Sequence, residues 1–365
     1  MNYSFVRGTL AYFALYCIIL LPFPFSILGL QQRVIDAIFW LPVHSDSKGM
    51  YLLVLYIFIA AVITSIIFKA KDKLLDFIYS LSSYYLSLML FKYGIDKIFL
   101  HQFYIPEPNT LFTPLGQMEK GLLYWSTMGT SSFYSIFMGS IEIIAAMLLL
   151  FRKTRVFALI LSLGIIINIV TVNLGFDISV KLYSLFLLFL CIYLLIPFIP
   201  AFYSFFFKAE PVSERPSPGL KRNNFIGMFC KWLAVGIILL EGLYPYIQSR
   251  NLNDSLAQRP FLHGAYNVID RSSPVKRFFI HRKGYIIFQD RNDVMKDYKL
   301  TVRDSNFLLT DYHTRTTVVP FQYQKEDSVL TLYYPIDTLT FKISGKAIDW
   351  RKLPAMRKGF HWISE

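Results

Sequence analysis

Residues 88–100 read LMLFKYGIDKIFL, and residues 134–151 read YSIFMGSIEIIAAMLLLF. Both stretches are apolar enough for hydrocarbon, yet the first carries Lys92, Asp96 and Lys97 and the second carries Glu142. An ionisable group at membrane depth is costly, so it faces a bundle interior and there serves a site or a buried pair. The two segments predict a helical membrane bundle with a polar interior, and they mark where function is to be sought.

Outward from them, apolar runs of about 20 residues, long enough to cross the hydrocarbon, recur along the chain. They fall at 9–30, 50–68, 75–103, 132–150, 156–174, 180–200 and 225–247. The expected fold is a membrane all-α bundle of about seven spans followed by a small C-terminal antiparallel β domain. The first run contains Pro22 and Pro24, which neighbouring helices accommodate by supplying partners to the freed carbonyls. Its length and the lack of a small-residue cleavage site predict a retained segment rather than a removed signal peptide.

The formal net charge of +13 is placed as a topology code. Lys69, Lys71 and Lys73 fill the second loop, Arg152, Lys153 and Arg155 the fourth, and Lys208, Arg215, Lys221 and Arg222 the sixth. Excess Lys and Arg mark cytoplasmic loops. The N-terminus is therefore expected inside and everything after about residue 248 outside, in a multi-pass inner-membrane protein. The lipid bilayer is the expected partner, and nucleic acid is not.

The domain reading follows. Residues 1–74 hold two N-terminal helices, 75–207 a four-helix core, 208–224 a polar cytoplasmic linker, 225–247 the seventh span and 248–365 an exported β-rich domain. In that last part, runs such as VKRFFIHR, GYIIFQD and TTVVPFQYQ are separated by turn formers, which reads as an antiparallel sheet or small barrel. Two partly apolar segments with a Trp each, 34–43 and 115–129, are expected at the membrane interface.

A rise of about 1.5 Å per residue places Lys92, Asp96 and Lys97 in the outer part of the bilayer, with Glu142 near the midplane. Asn168 falls in the outer half of its span, and Asp177 and Lys181 bracket the next outer turn. Lys92 and Asp96 have the spacing of an intrahelical pair, which leaves Lys97 to reach Asp177 or the headgroups. One reading is an internally satisfied polar plug that holds helices in register. The other is an outward cavity for a polar-headed, hydrophobic-tailed molecule such as a quinone or lipid, with a proton route through Glu142 as a third.

Other chemistries find no support. Cys17, Cys191 and Cys230 lie within spans without a CxxC, and no histidine is mid-span to ligate an intramembrane haem. No metal-ligand spacing, nucleophile elbow or phosphate-binding loop occurs, so no catalytic residue and no metal are assigned.

The run FKYGIDKIFLHQF, then W-x-x-M-G at 125–129, Y-x-x-F-x-G-x-x-E at 134–142 and NIVTVNLGFDISVKLYS at 168–184 resemble the DoxX/DoxD-like membrane family. The likeness covers about residues 75–200, with Gly94 and Lys97 matching that family's G-x-x-K. It implies a four-helix core of the kind associated with membrane oxidoreductase complexes. The segment LHGAYNVID, 262–270, resembles the start of lipocalin-like barrels. The leading expectation is a redox-linked accessory subunit that binds a quinone near the outer leaflet. Lys92, Asp96, Lys97, Asn168, Asp177 and Lys181 would line the head-group end, with Glu142 as the buried acceptor. The alternative is a non-catalytic scaffold that docks an envelope protein complex through its periplasmic β domain.

Overall fold

A computed structural model describes residues 3–21, 42–208, 219, 225–336 and 339–357. The chain divides into two compact units, Met1–Gln102 with Phe133–Asn253, and Phe103–Ser132 with Asp254–Glu365. In chain order the principal helices are α1 (Tyr3–Leu20), α2 (Lys48–Ile67), α3 (Asp72–Ile98), α4 (Lys120–Gly129), α5 (Ser132–Leu149), α6 (Arg155–Gly175), α7 (Lys181–Leu195), α8 (Ile199–Lys208) and α9 (Phe225–Ser249). All but α4 build the first unit.

Among the described residues five stretches are long and apolar enough to cross a membrane: α2, α3, α5, α6 and the run Lys181–Lys208. That last run is α7 and α8 joined by the 3₁₀ turn Ile196–Phe198. Burial ranks the helices. In the apolar window of α3, 72% is buried against 22% in α2, so α3 is the central helix and α2 a peripheral one. Ser47 starts α2 as its N-cap, its side chain accepting from the Met50 amide. Pro245 sits inside α9, where its missing N–H leaves a backbone carbonyl one turn earlier without a helical donor.

Several expected boundaries move. The span expected at 75–103 begins at Asp72 and ends at Ile98, because the chain turns at Leu100, whose φ is 58°. The first span starts earlier than expected, at Tyr3, and residues 22–30 of it lie outside the described residues, as do 34–41 of the expected interfacial piece and most of the 208–224 linker. The other interfacial piece folds as a 3₁₀ turn, Leu115–Gln117, and α4. It belongs to the second unit, which therefore comprises two pieces of chain rather than one continuous domain from residue 248.

The second unit is built on a closed antiparallel barrel with neighbouring strands in sequence order: β1 (Gly264–Val268), β2 (Val275–His281), β3 (Tyr285–Asp290), β4 (Met295–Arg303), β5 (Asn306–Thr310), β6 (Thr316–Gln324), β7 (Val329–Ile336) and β8 (Leu339–Ile348). Closure removes both sheet edges. Alternation along each strand sends one set of residues inward. Tyr266, Phe278, Ile280, Ile286, Phe307, Leu309, Val319, Leu330 and Leu332 form the internal core. Gly345 of β8 leaves the space that Phe278 occupies, since a Cβ there would come within 2.4 Å of its ring.

The opposite faces of β1–β3 are covered as well. Ala265, Phe279, Ile287 and the flanking Trp350 form a second apolar cluster with Ile105, Leu111, Phe112, Met295 and Leu353. The inserted segment and the C-terminal 3₁₀ turns are thus the outer layer of one side of the barrel.

Candidate functional site

The α3–α5 crossing brings together two of the polar groups that the sequence marks, Lys97 and Glu142. Gly94 and Gly139 bring the two backbones together: a Cβ on Gly139 would lie 2.5 Å from the Gly94 carbonyl oxygen, and one on Gly94 2.8 Å from that of Gly139. Small residues permit this approach between membrane helices. The Ser135 hydroxyl donates to the Lys97 carbonyl at 2.8 Å, and about three turns away Ser87 donates to the Ala146 carbonyl at 2.8 Å.

Between these bonds Lys97 Nζ donates to both Glu142 oxygens, at 2.8 Å each. The two side chains are 5% and 1% exposed, so the pair is shut off from solvent. Lys97 does not run outward to Asp177 or the headgroups, as the spacing suggested. The glycine contact turns it into the α3–α5 seam, where Glu142 is the acceptor.

The other predicted residues separate into two further groups. Lys92 Nζ approaches Glu241 of α9 at 3.9 Å, and Asp96 accepts a hydrogen bond from the Tyr246 hydroxyl. The expected Lys92–Asp96 pair is thus replaced by contacts to α9, a helix that the reading of 75–207 as a separate core had left out. Lys181 Nζ lies 2.7 Å from Asp177 and 3.7 Å from Asp46, while Asp46 also accepts from the Lys181 and Leu182 amides at 3.0 Å. Asp46 was not foreseen. It caps α7, whose first turn offers unbonded amides.

Asn168 joins neither group. It lies on an exposed face of α6, and a Cβ on Gly164, its expected neighbour, would meet nothing within 4 Å. Asn173, one turn and a half further on, is the buried asparagine, at 5% exposure. Two cavities in the helical unit open at the opposite end from these groups. One of about 350 Å³ is lined by Arg7, Leu10, Asp76, Tyr79 and Tyr193, and one of about 480 Å³ by Arg7, Lys69, Lys71 and Asp72.

The second unit contains a polar cluster that sequence reading missed. Glu107, 4% exposed, accepts from His263 Nε2 at 2.8 Å and from the Arg282 amide at 3.2 Å, with Arg282 Nε at 3.4 Å and His281 Nε2 at 3.9 Å. Arg282 also reaches Asp254 at 2.6 Å and stacks its guanidinium 4.0 Å from the centre of the Tyr104 ring. Burial opposes ionisation of Glu107, but the His263 hydrogen bond and the surrounding positive charge outweigh it and hold its pKa below the ordinary value. The arrangement ties the inserted segment to the barrel. Its one sequence signal is a proline-flanked acid, IPEP at 105–108, in an otherwise apolar stretch.

Among the described residues no group of three or more His, Cys, Asp or Glu side chains is arranged to hold a metal ion. Cys17 and Cys191 are buried free thiols.

No family model matches the chain, and no solved structure does. The uncharacterized protein YwoB of Bacillus subtilis (strain 168) is 34% identical over 132 residues, which are 36% of this chain and 82% of YwoB. The chain belongs to the YwoB family.

Proposed function

We propose that the protein is a non-catalytic membrane scaffold whose bundle anchors the β-barrel unit on the non-cytoplasmic face, where it docks an envelope protein complex. One observation carries this reading. Lys97 is spent on both oxygens of Glu142 inside a seam too tight for a methyl group, so the deepest charges lock helices together instead of facing a ligand. Buried pairs of this kind specify register.

The orientation has a parity argument behind it. Glu107 and His263 pack together, which supports a reading with residues 103–132 and 254–365 on one side of the membrane. The chain between them must cross an even number of times. The runs α5, α6 and Lys181–Lys208 are long and apolar enough for three crossings, and in this reading the apolar α9 makes the fourth. With α1, α2 and α3 that makes seven, and the basic loops put the N-terminus inside.

A second reading keeps the quinone, within the DoxX/DoxD-like likeness of residues 75–200. What favours it is the buried Nδ2 of Asn173, which has no hydrogen-bond partner among the described residues. Purification in native lipid, followed by lipid extraction and mass spectrometry, separates the two. The scaffold reading expects a co-purifying protein and no stoichiometric quinone. A quinone at one per chain, lost in Asn173→Ala, would replace it.

A further inference from the structure

The barrel is filled over only part of its length. Phe278 and Phe307 are both 0% exposed, and around them Ile280, Leu309, Val319, Leu330 and Leu332 complete a solid plug. Among the described residues the filling stops towards the β1–β2 and β3–β4 turns. A cavity of about 690 Å³ remains, lined by Phe288, Tyr298, Tyr334, Phe341 and Ile343, with Pro274 and Val275 also in its wall. An eight-stranded barrel is just wide enough to be filled by side chains or to hold one small ligand. This one does both, at opposite ends.

Register places a lysine in the mouth. Lys296 pairs across the strands with Phe288, and Tyr298 with Ile286, so Lys296, Tyr298 and Leu300 all point inward on β4. Lys296 Nζ lies 5.3 Å from the centre of the Tyr298 ring, and Tyr298 and Tyr334 share the cavity wall with it. Lys342 adds a second cation at the rim. Among the described residues neither lysine is in an ion pair. Among the described lining residues the acid is Asp270, which is turned to its own loop, where it accepts from the Ser272 amide and hydroxyl at 2.8 Å.

We propose that this half-filled barrel mouth binds an anionic amphiphile, its carboxylate or phosphate head on Lys296 and Lys342 and its apolar body against Phe288, Tyr334, Phe341 and Ile343. The size is that of sites which enclose a ligand of drug or medium-chain lipid dimensions. An inward lysine on an otherwise aromatic wall leaves a positive charge over an apolar floor, and a headgroup of opposite sign completes both. The site stands apart from the scaffold reading and does not depend on it.

The test uses the full chain in phosphatidylcholine nanodiscs with a diazirine-bearing decanoate, or the matching decanol, irradiated and mapped by mass spectrometry. The acid should label peptides 288–298 and 341–343, with labelling of the helical unit serving as an internal control. Lys296→Glu should cut barrel labelling about fivefold, the factor expected for loss of one exposed charge contact, and leave helix labelling unchanged. Ile343→Trp, which fills the cup without altering charge, should abolish it. Unlabelled decanoate and decyl phosphate should compete, and the stronger competitor identifies the head as carboxylate or phosphate. Equal barrel labelling by acid and alcohol, no response to Lys296→Glu, no competition, or adducts confined to the helices would each overturn the proposal.

Discussion

In the helical unit, Lys97 ends on both oxygens of Glu142 within a seam too tight for a Cβ, whereas in the barrel Lys296 stands at an inward position beside an open cavity. Both lysines lie among apolar residues, and the difference is in what surrounds them. Hydrocarbon offers no water to an unpaired charge, so the bundle closes around Lys97 with Glu142. The barrel mouth keeps contact with solvent, so a lysine there can wait for a ligand at little cost. The comparison teaches that a charge inside an apolar stretch marks a lock where it is shut off and a receptor where it is open.

That contrast can be broken most forcefully at Glu142. Glu142→Gln should destabilise the helical unit by about 3–5 kcal/mol, because it strands a buried ammonium, read as a lowered thermal midpoint in detergent. The double variant Lys97→Met with Glu142→Leu should recover most of that loss. A double variant as unstable as the single would show that the pair does more than hold helices together.

In the barrel the comparable loss comes from apolar packing. Phe278→Ala should cost about 3–5 kcal/mol by opening a cavity in the plug, detectable as loss of the barrel's unfolding transition with the helices intact. Gly139→Ala comes next, at about 1–3 kcal/mol of overpacking, and Gly94→Ala should not add to it fully because the two share one contact.

The Glu107 cluster predicts an acid-sensitive attachment. Glu107 has a lowered pKa, so its contribution is complete above the ordinary carboxylate range and is lost as pH falls through the folded value. Burial lowers the pKa of His281, which the folded state therefore keeps neutral, and that contribution begins to fade as pH drops below about 6.5. Both act in one direction. Hydrogen exchange in residues 103–114 should quicken below about pH 6.5 while strands β5–β7 stay protected, and His263→Ala should produce the loosened state at neutral pH. The smallest effect is expected at the mouth, where Lys296→Glu should leave stability within about 0.5 kcal/mol.

How much of this was legible varies residue by residue. The runs around 50–68 and 156–174 announced α2 and α6 by length and hydropathy alone, since a spanning helix needs no neighbour to be recognised. The β-rich tail announced an antiparallel sheet through its turn residues, and its closure into eight strands added only β1, which lay within LHGAYNVID. Lys97 and Glu142 were legible as buried charges because an isolated ion in lipid must be satisfied. Their partnership was not, since 45 residues separate them and only the Gly94–Gly139 crossing brings them together.

The amino-acid sequence by itself determined helices long and apolar enough to cross a membrane and the β character of the tail, because these depend on composition and periodicity within one segment. Only the tertiary structure decided that Lys92 would meet Glu241, that Glu107 would be held by His263 and Arg282, and that the barrel would stop being filled at Phe288. Those outcomes depend on which distant surfaces come into van der Waals contact. A buried charge states locally that it needs a partner, but three-dimensional packing chooses which one.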